Sequence, residues 1–244
     1  MEQKGGKMRN LVHLVFLLLI FAGCSKTGEY NWDAQYRYFP MEEGHWVVYE
    51  VDSTAYNKLQ DTVIRYHYFV RQTIGTTFTD LSGQTWRRVD HEVSPDSLGG
   101  WTITAASARK ITRRNAETLE DNLRVIRLTF PFKKFTYWHG NSQINYEDPF
   151  NCNFYGDWQF QFRELFVPQT VSGLNFDSVV TVQQVADSGL ICKSFVNEMY
   201  APGVGLIYKH VERLTTQNTG SDPFYIKAED GYILTYRIVN WKRD

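Results

Sequence analysis

The first residue able to do chemistry is Cys24, which follows the small residues Ala22 and Gly23 at the end of an apolar run that begins at Leu11. Small side chains let an extended segment enter a signal peptidase, and a thiol just beyond them can accept a diacylglyceryl group. A second chemistry is suggested by Glu147, Asp148, Asp157 and Glu164, which stand in the most aromatic stretch of the chain. Two carboxylates at a set separation are enough to cut a glycosidic bond. No spacing rule in sequence identifies such a pair, and solvated loop acids account for them as well. Other reactive patterns are missing: Ser142 sits in GNSQI rather than G-x-S-x-G, and no HExxH or phosphate-cradling glycine loop occurs. His45, His67, His91, His139 and His210 are scattered, so neither a metal site nor a cofactor is expected, and no catalytic residue is assigned.

The elements around Cys24 support the first chemistry. Lys4, Lys7 and Arg9 form a positive segment ahead of the apolar run LVHLVFLLLIFA. That run is too short to cross a bilayer core of about 30 Å, which takes about 20 apolar residues, and has the length of a signal-peptide core. Met8 would also serve as a start, since MRNLVHLVFLLLIFAGC is a complete signal. The string FAGC resembles the lipobox L-[AS]-[GA]-C, with Phe21 in the apolar position. Residues 1–23 are therefore expected to be a lipoprotein signal peptide, 24–37 a lipidated tether, and 38–244 a single all-β domain. Acylated Cys24, carrying palmitate-type chains, would hold the protein on the membrane. Ser25 is not the Asp that retains lipoproteins at the inner membrane, which favours the outer membrane. The following SKTGE holds one acid, so the periplasmic and surface faces both stay open.

Without residues 1–23 the chain keeps 23 basic and 26 acidic residues, net −3, which offers no electrostatic reason to bind nucleic acid. Besides Cys24, only Cys152 and Cys192 remain, and either a disulfide or two buried thiols would suit them. Short alternating segments dominate. In 45–54, Trp46, Val48 and Glu50 oppose Val47, Tyr49 and Val51. Further strands are expected at 61–74, 84–93, 100–105, 108–114, 122–130, 158–166, 177–186, 189–200, 204–214 and 231–241, parted by Gly, Pro, Asp and Ser turns. Residues 115–122 could form one helical turn. Such spacing predicts an all-β fold, a mostly antiparallel curved sheet, sandwich or open barrel.

Residues 130–166 hold thirteen aromatics, about twice the density of the whole chain at 16%. In the polar run from Trp138 to Tyr155 they must fold back on the core or face a ligand. Trp138, Asn141, Tyr146 and Tyr155 are the candidate ligand platform. Trp158, Phe160 and Phe162 alternate and predict a buried strand face. The basic cluster Arg109, Lys110, Arg113 and Arg114 reads as a charged, solvated strand edge or a contact for anionic lipid headgroups. Gly203-Val204-Gly205 reads as a structural bulge rather than a ligand loop. Asp52-Ser53-Thr54, Asp61-Thr62-Val63, Asp96-Ser97-Leu98 and Asp177-Ser178-Val179 are weak candidates for O-glycosylation.

Four strings occur in order: YFPMEEGHWVVY at 38–49, WHGN at 138–141, FDSVVTV at 176–182 and YAPGVGLIYK at 200–209. Together they resemble uncharacterised outer-envelope lipoproteins of the Bacteroidetes group. The resemblance implies an envelope lipoprotein with no assigned activity and no catalytic residues to carry over. The expected function is a non-enzymatic binding or assembly module, with an envelope protein or glycan as partner. The alternatives are a glycoside hydrolase or other carbohydrate-active enzyme using the acids of 147–164, and a lipid carrier. The interior separates them: closed and filled by side chains for an interaction module, dry and apolar for a carrier, or a groove with two acids about 5–10 Å apart for a glycosidase.

Overall fold

A computed structural model describes residues 32–144 and 158–242, which lie in a compact unit that starts at Trp32, upstream of the Tyr38 boundary expected from sequence. The reason is packing: Trp32 and Tyr36, in the short helix α1 (Trp32–Tyr36), lie against the main core.

Alternation builds the sheet. Val47, Tyr49 and Val51 of β1 (Trp46–Asn57) are buried on one face, as their spacing predicts. Asp61 breaks the chain with positive φ before β2 (Thr62–Thr79), which pairs antiparallel with β1. The strands that follow are β3 (Thr85–Ser94), β4 (Thr102–Ile111), β5 (Asn115–Glu120), β6 (Leu123–Thr129), β7 (Tyr137–His139), β8 (Gln159–Val171), β9 (Leu174–Ser188), β10 (Cys192–Ala201), β11 (Gly205–Thr215) and β12 (Asp230–Trp241). A short helix α2 (Phe224–Lys227) lies between β11 and β12. All form one antiparallel sheet in the order β6-β5-β4-β3-β2-β1-β12-β11-β10-β9-β8-β7. The all-β, antiparallel expectation holds.

Two expectations need correction. Residues 115–120 are strand, not a helical turn: the segment pairs with β4 and β6, and Asp121 and Asn122 both take positive φ in the two-residue hairpin that follows. The basic cluster is not a strand edge, because β4 is flanked by β3 and β5; Arg113 and Arg114 are exposed in the turn after β4, but Arg109 and Lys110 are not. Alternation splits its neighbours: Arg109 lines an internal cavity, while Lys110 is buried with Trp86 and Glu117 beneath Gln84.

The two edge strands meet, so the sheet nearly closes into a barrel. Ile126 of β6 donates its N–H to the Gly140 carbonyl at 2.7 Å, and its own carbonyl accepts the Trp138 indole N–H at 2.9 Å. The Trp138 ring rests on Phe162 and Phe160 at 4.8 and 5.8 Å. A Cβ on Gly140 would come within 2.4 Å of the buried Phe160 ring. The WHGN string is thus the clasp of the barrel.

The other motifs tie residues 37–49 to the strands around 178 and 203–206. The Arg37 carbonyl accepts from Gly203 N–H at 2.8 Å, and His45 donates to the Val204 carbonyl at 3.2 Å. Tyr49 donates to the Leu206 carbonyl at 2.9 Å, and Tyr38 shares a 2.7 Å hydrogen bond with Ser178. Gly205 has φ +90 and lies against Pro40, where a Cβ would stand 3.1 Å from the proline ring. The GVG turn is therefore structural.

Candidate functional site

The same alternation that buries apolar residues points several charged ones inward. On β5, Thr118 and Glu120 line the lumen while Glu117 turns outward to Arg124 and Lys110 at 2.7 and 3.3 Å. On β6 the lumen residue is Arg127, on β10 Glu198 and Tyr200, on β11 Lys209, on β4 Arg109 and on β3 His91. Two cavities result, of about 230 Å³ and about 300 Å³. Glu120, Asp121, Arg127, Lys209 and Tyr236 line both. The larger reaches toward the end of the barrel that holds the β5–β6 turn, where Leu123, Asn141, Ile144, Trp158 and Arg213 line it.

Arg127 organises the centre. Its Nε donates to Thr118 Oγ1 at 2.9 Å, Nη1 to Glu198 Oε1 at 3.1 Å and Nη2 to Glu120 Oε2 at 2.9 Å. The Tyr200 hydroxyl donates to the other Glu198 oxygen at 2.6 Å, and Lys209 stands 3.6 Å from Glu198. Glu198 is 1% exposed. Burial alone would raise the Glu120 carboxyl, but the charges of Arg127 and Lys209 outweigh it and hold it at about 2. Its side chain keeps 40% of its surface, and that surface belongs to the cavities it lines. Burial and the adjoining Glu198 carboxylate push the Tyr200 hydroxyl well above its usual range. Burial lowers the His91 imidazole, favouring its neutral form.

Chemically this arrangement pairs and holds charge. A glycosidase needs a carboxyl that still holds its proton near neutral pH. Glu120 is held far below that. Nor is the lumen the dry apolar space of a lipid carrier.

The sequence-expected site residues are distributed differently. Trp138 is part-buried at the seam, and Asn141 is buried and lines the larger cavity. Tyr146, Tyr155, Cys24, Glu147, Asp148 and Asp157 lie outside the described residues. Glu164 is exposed on β8 and accepts from Gln169 at 3.3 Å. Trp158, Phe160 and Phe162 are all buried, as their alternation predicts. Cys192 is disulfide-bonded, and its partner lies outside the described residues. Sequence reasoning missed Arg127, Glu120, Glu198 and Lys209. The available signal was a charge at the inward register of an otherwise apolar strand, as in LRVIRLT and SFVNEMY.

Fold and site together define a nearly closed antiparallel barrel with a charged lumen. No protein-family model matches the chain, and no curated protein matches it. Two solved structures are similar. One is a candidate exported protein with a YmcC-like fold from Bacteroides fragilis, 11% identical, with a TM-score of 0.39 over 83% of this chain and 98% of that one. The other is a candidate lipoprotein from Parabacteroides distasonis, also 11% identical, with a TM-score of 0.39 over 84% and 98%. Likeness of this degree carries no assignment of function.

Proposed function

We propose that this protein is an envelope lipoprotein, anchored to the outer membrane by acylated Cys24, that works as a non-enzymatic binding module with its ligand in the barrel lumen. The observation that carries the binding role is the lumen itself: two cavities bordered by an Arg127–Glu120–Glu198 network, whose Arg127 and Glu120 line both. Buried charges are costly unless paired and hydrogen-bonded, so a filled apolar interior would be the simpler way to stabilise a barrel. A charged interior with room for several waters suits a polar guest. The anchoring role rests on the signal segment and the FAGC string. A lipid guest is disfavoured, because burying an acyl chain here would desolvate Arg109, Glu120 and Lys209 without replacing their partners.

Native mass spectrometry of the full chain, released from native membranes in mild detergent, tests this. The expected mass holds the acylated chain plus a small non-covalent molecule that leaves unchanged on activation. A chain bearing its lipid and nothing in the lumen would overturn the binding role.

A further inference from the structure

We infer that the smaller cavity takes an anionic group of the ligand, a carboxylate or a phosphate monoester, with Arg109 and Lys209 as its counter-ions. This deepens the proposed binding role and rests on it. Two carboxylates of the lumen are already committed: Glu120 and the buried Glu198 both hold Arg127. Arg109 has no carboxylate within ion-pair distance among the described residues. Its Nη1 makes one long bond to the Pro40 carbonyl at 3.4 Å, its Nε has no acceptor, and Phe39 lies under the guanidinium at 5.2 Å. Lys209 stands 3.6 Å from Glu198, beyond hydrogen-bonding distance, and its ammonium donates to no acceptor among the described residues. Asp121, the other acid of the lining, sits in the exposed β5–β6 turn.

Two cations with unfilled donors therefore face one cavity. A guanidinium never gives up its proton to escape burial, so Arg109 keeps its positive charge toward this cavity. Carboxylate and phosphate oxygens match such donors in charge and in hydrogen-bonding capacity. The Tyr49 and Tyr200 hydroxyl protons are already used, by the Leu206 carbonyl and by Glu198.

The test uses the detergent-solubilised full chain, with acetate, inorganic phosphate and neutral acetamide as probes at matched ionic strength. Acetate or phosphate should raise the thermal midpoint by about 3 °C over acetamide, the size expected when ligand stands about tenfold above its Kd. Which anion does so separates a carboxylate from a phosphate ligand. Arg109→Met should abolish the rise, Arg109→Lys should keep part of it, and Lys209→Met should reduce it. No rise with either anion in the parent protein, or an equal rise in Arg109→Met, overturns the inference. Phosphate also stabilises proteins by exclusion from their surface, so the difference between parent and variant is the readout. Should the small-molecule adduct be present in both parent and Arg109→Met with no anion effect, the anionic assignment fails and the binding role stands. Should the parent carry no adduct, both fail.

Discussion

Arg127→Met is the most direct probe of the lumen network. Its cost is set by what the side chain leaves behind. Arg127 makes three side-chain hydrogen bonds, to Thr118, Glu120 and Glu198. Glu120 borders both cavities with 40% of its side chain uncovered, so water can screen it and its share is small. Glu198, 1% exposed, is different: it would keep only the Tyr200 hydroxyl at 2.6 Å and Lys209 at 3.6 Å. Removing one partner of a buried ion pair costs about 3–5 kcal/mol, because the other charge is stranded. Urea unfolding at pH 7, followed by tryptophan fluorescence, should show a loss in that range with an unchanged m-value. Adding Glu198→Gln removes the stranded charge, so the double variant should recover part of the loss. A single-variant cost below about 1 kcal/mol, or a double variant less stable than Arg127→Met, would refute the reasoning.

Four further outcomes are expected. At the clasp, Trp138→Phe should cost about 1 kcal/mol for the lost hydrogen bond to Ile126, and Trp138→Ala about 3 kcal/mol, the low end for a part-buried ring; equal urea melts for parent and Trp138→Ala would remove Trp138 from the clasp. Gly140→Ala should cost about 1–3 kcal/mol in the same assay, since the new methyl meets a Phe160 ring with 0% exposure that has nowhere to withdraw. In acid, Glu120 and Glu212, both held at about 2, contribute stability that is complete above the unfolded carboxylate range near pH 4.5 and lost as pH falls toward 2. The urea midpoint should therefore drop over that window, and less steeply in Glu120→Gln; a parallel drop in the variant would show that Glu120 does not carry it. Finally, Cys24→Ser should abolish labelling by radioactive palmitate and leave the precursor unprocessed, whereas undiminished label would place the acyl chain elsewhere.

Much of the fold was legible because strand alternation is local. The i, i+2 spacing of Val47, Tyr49 and Val51, and of Trp158, Phe160 and Phe162, marks buried faces without reference to any other part of the chain. Turn residues likewise marked most strand ends, and the single helical turn thought possible at 115–122 did not form because NAETLE could not announce its two partner strands. The WHGN and GVG strings were visible as patterns, but their work was not: each glycine is required by a neighbour far along the chain, Phe160 for Gly140 and Pro40 for Gly205. The lumen site was hidden for the same reason. Arg127 and Glu198 lie 71 residues apart and meet only because β6 and β10 bound one interior. A charged residue in a strand looks the same in sequence whether it faces water or the lumen. Arg109 and Lys110, adjacent and alike, end on opposite faces in different surroundings. Alternation says that neighbouring residues part company; closure of the sheet decides which side becomes the inside, and closure depends on contacts no local pattern encodes.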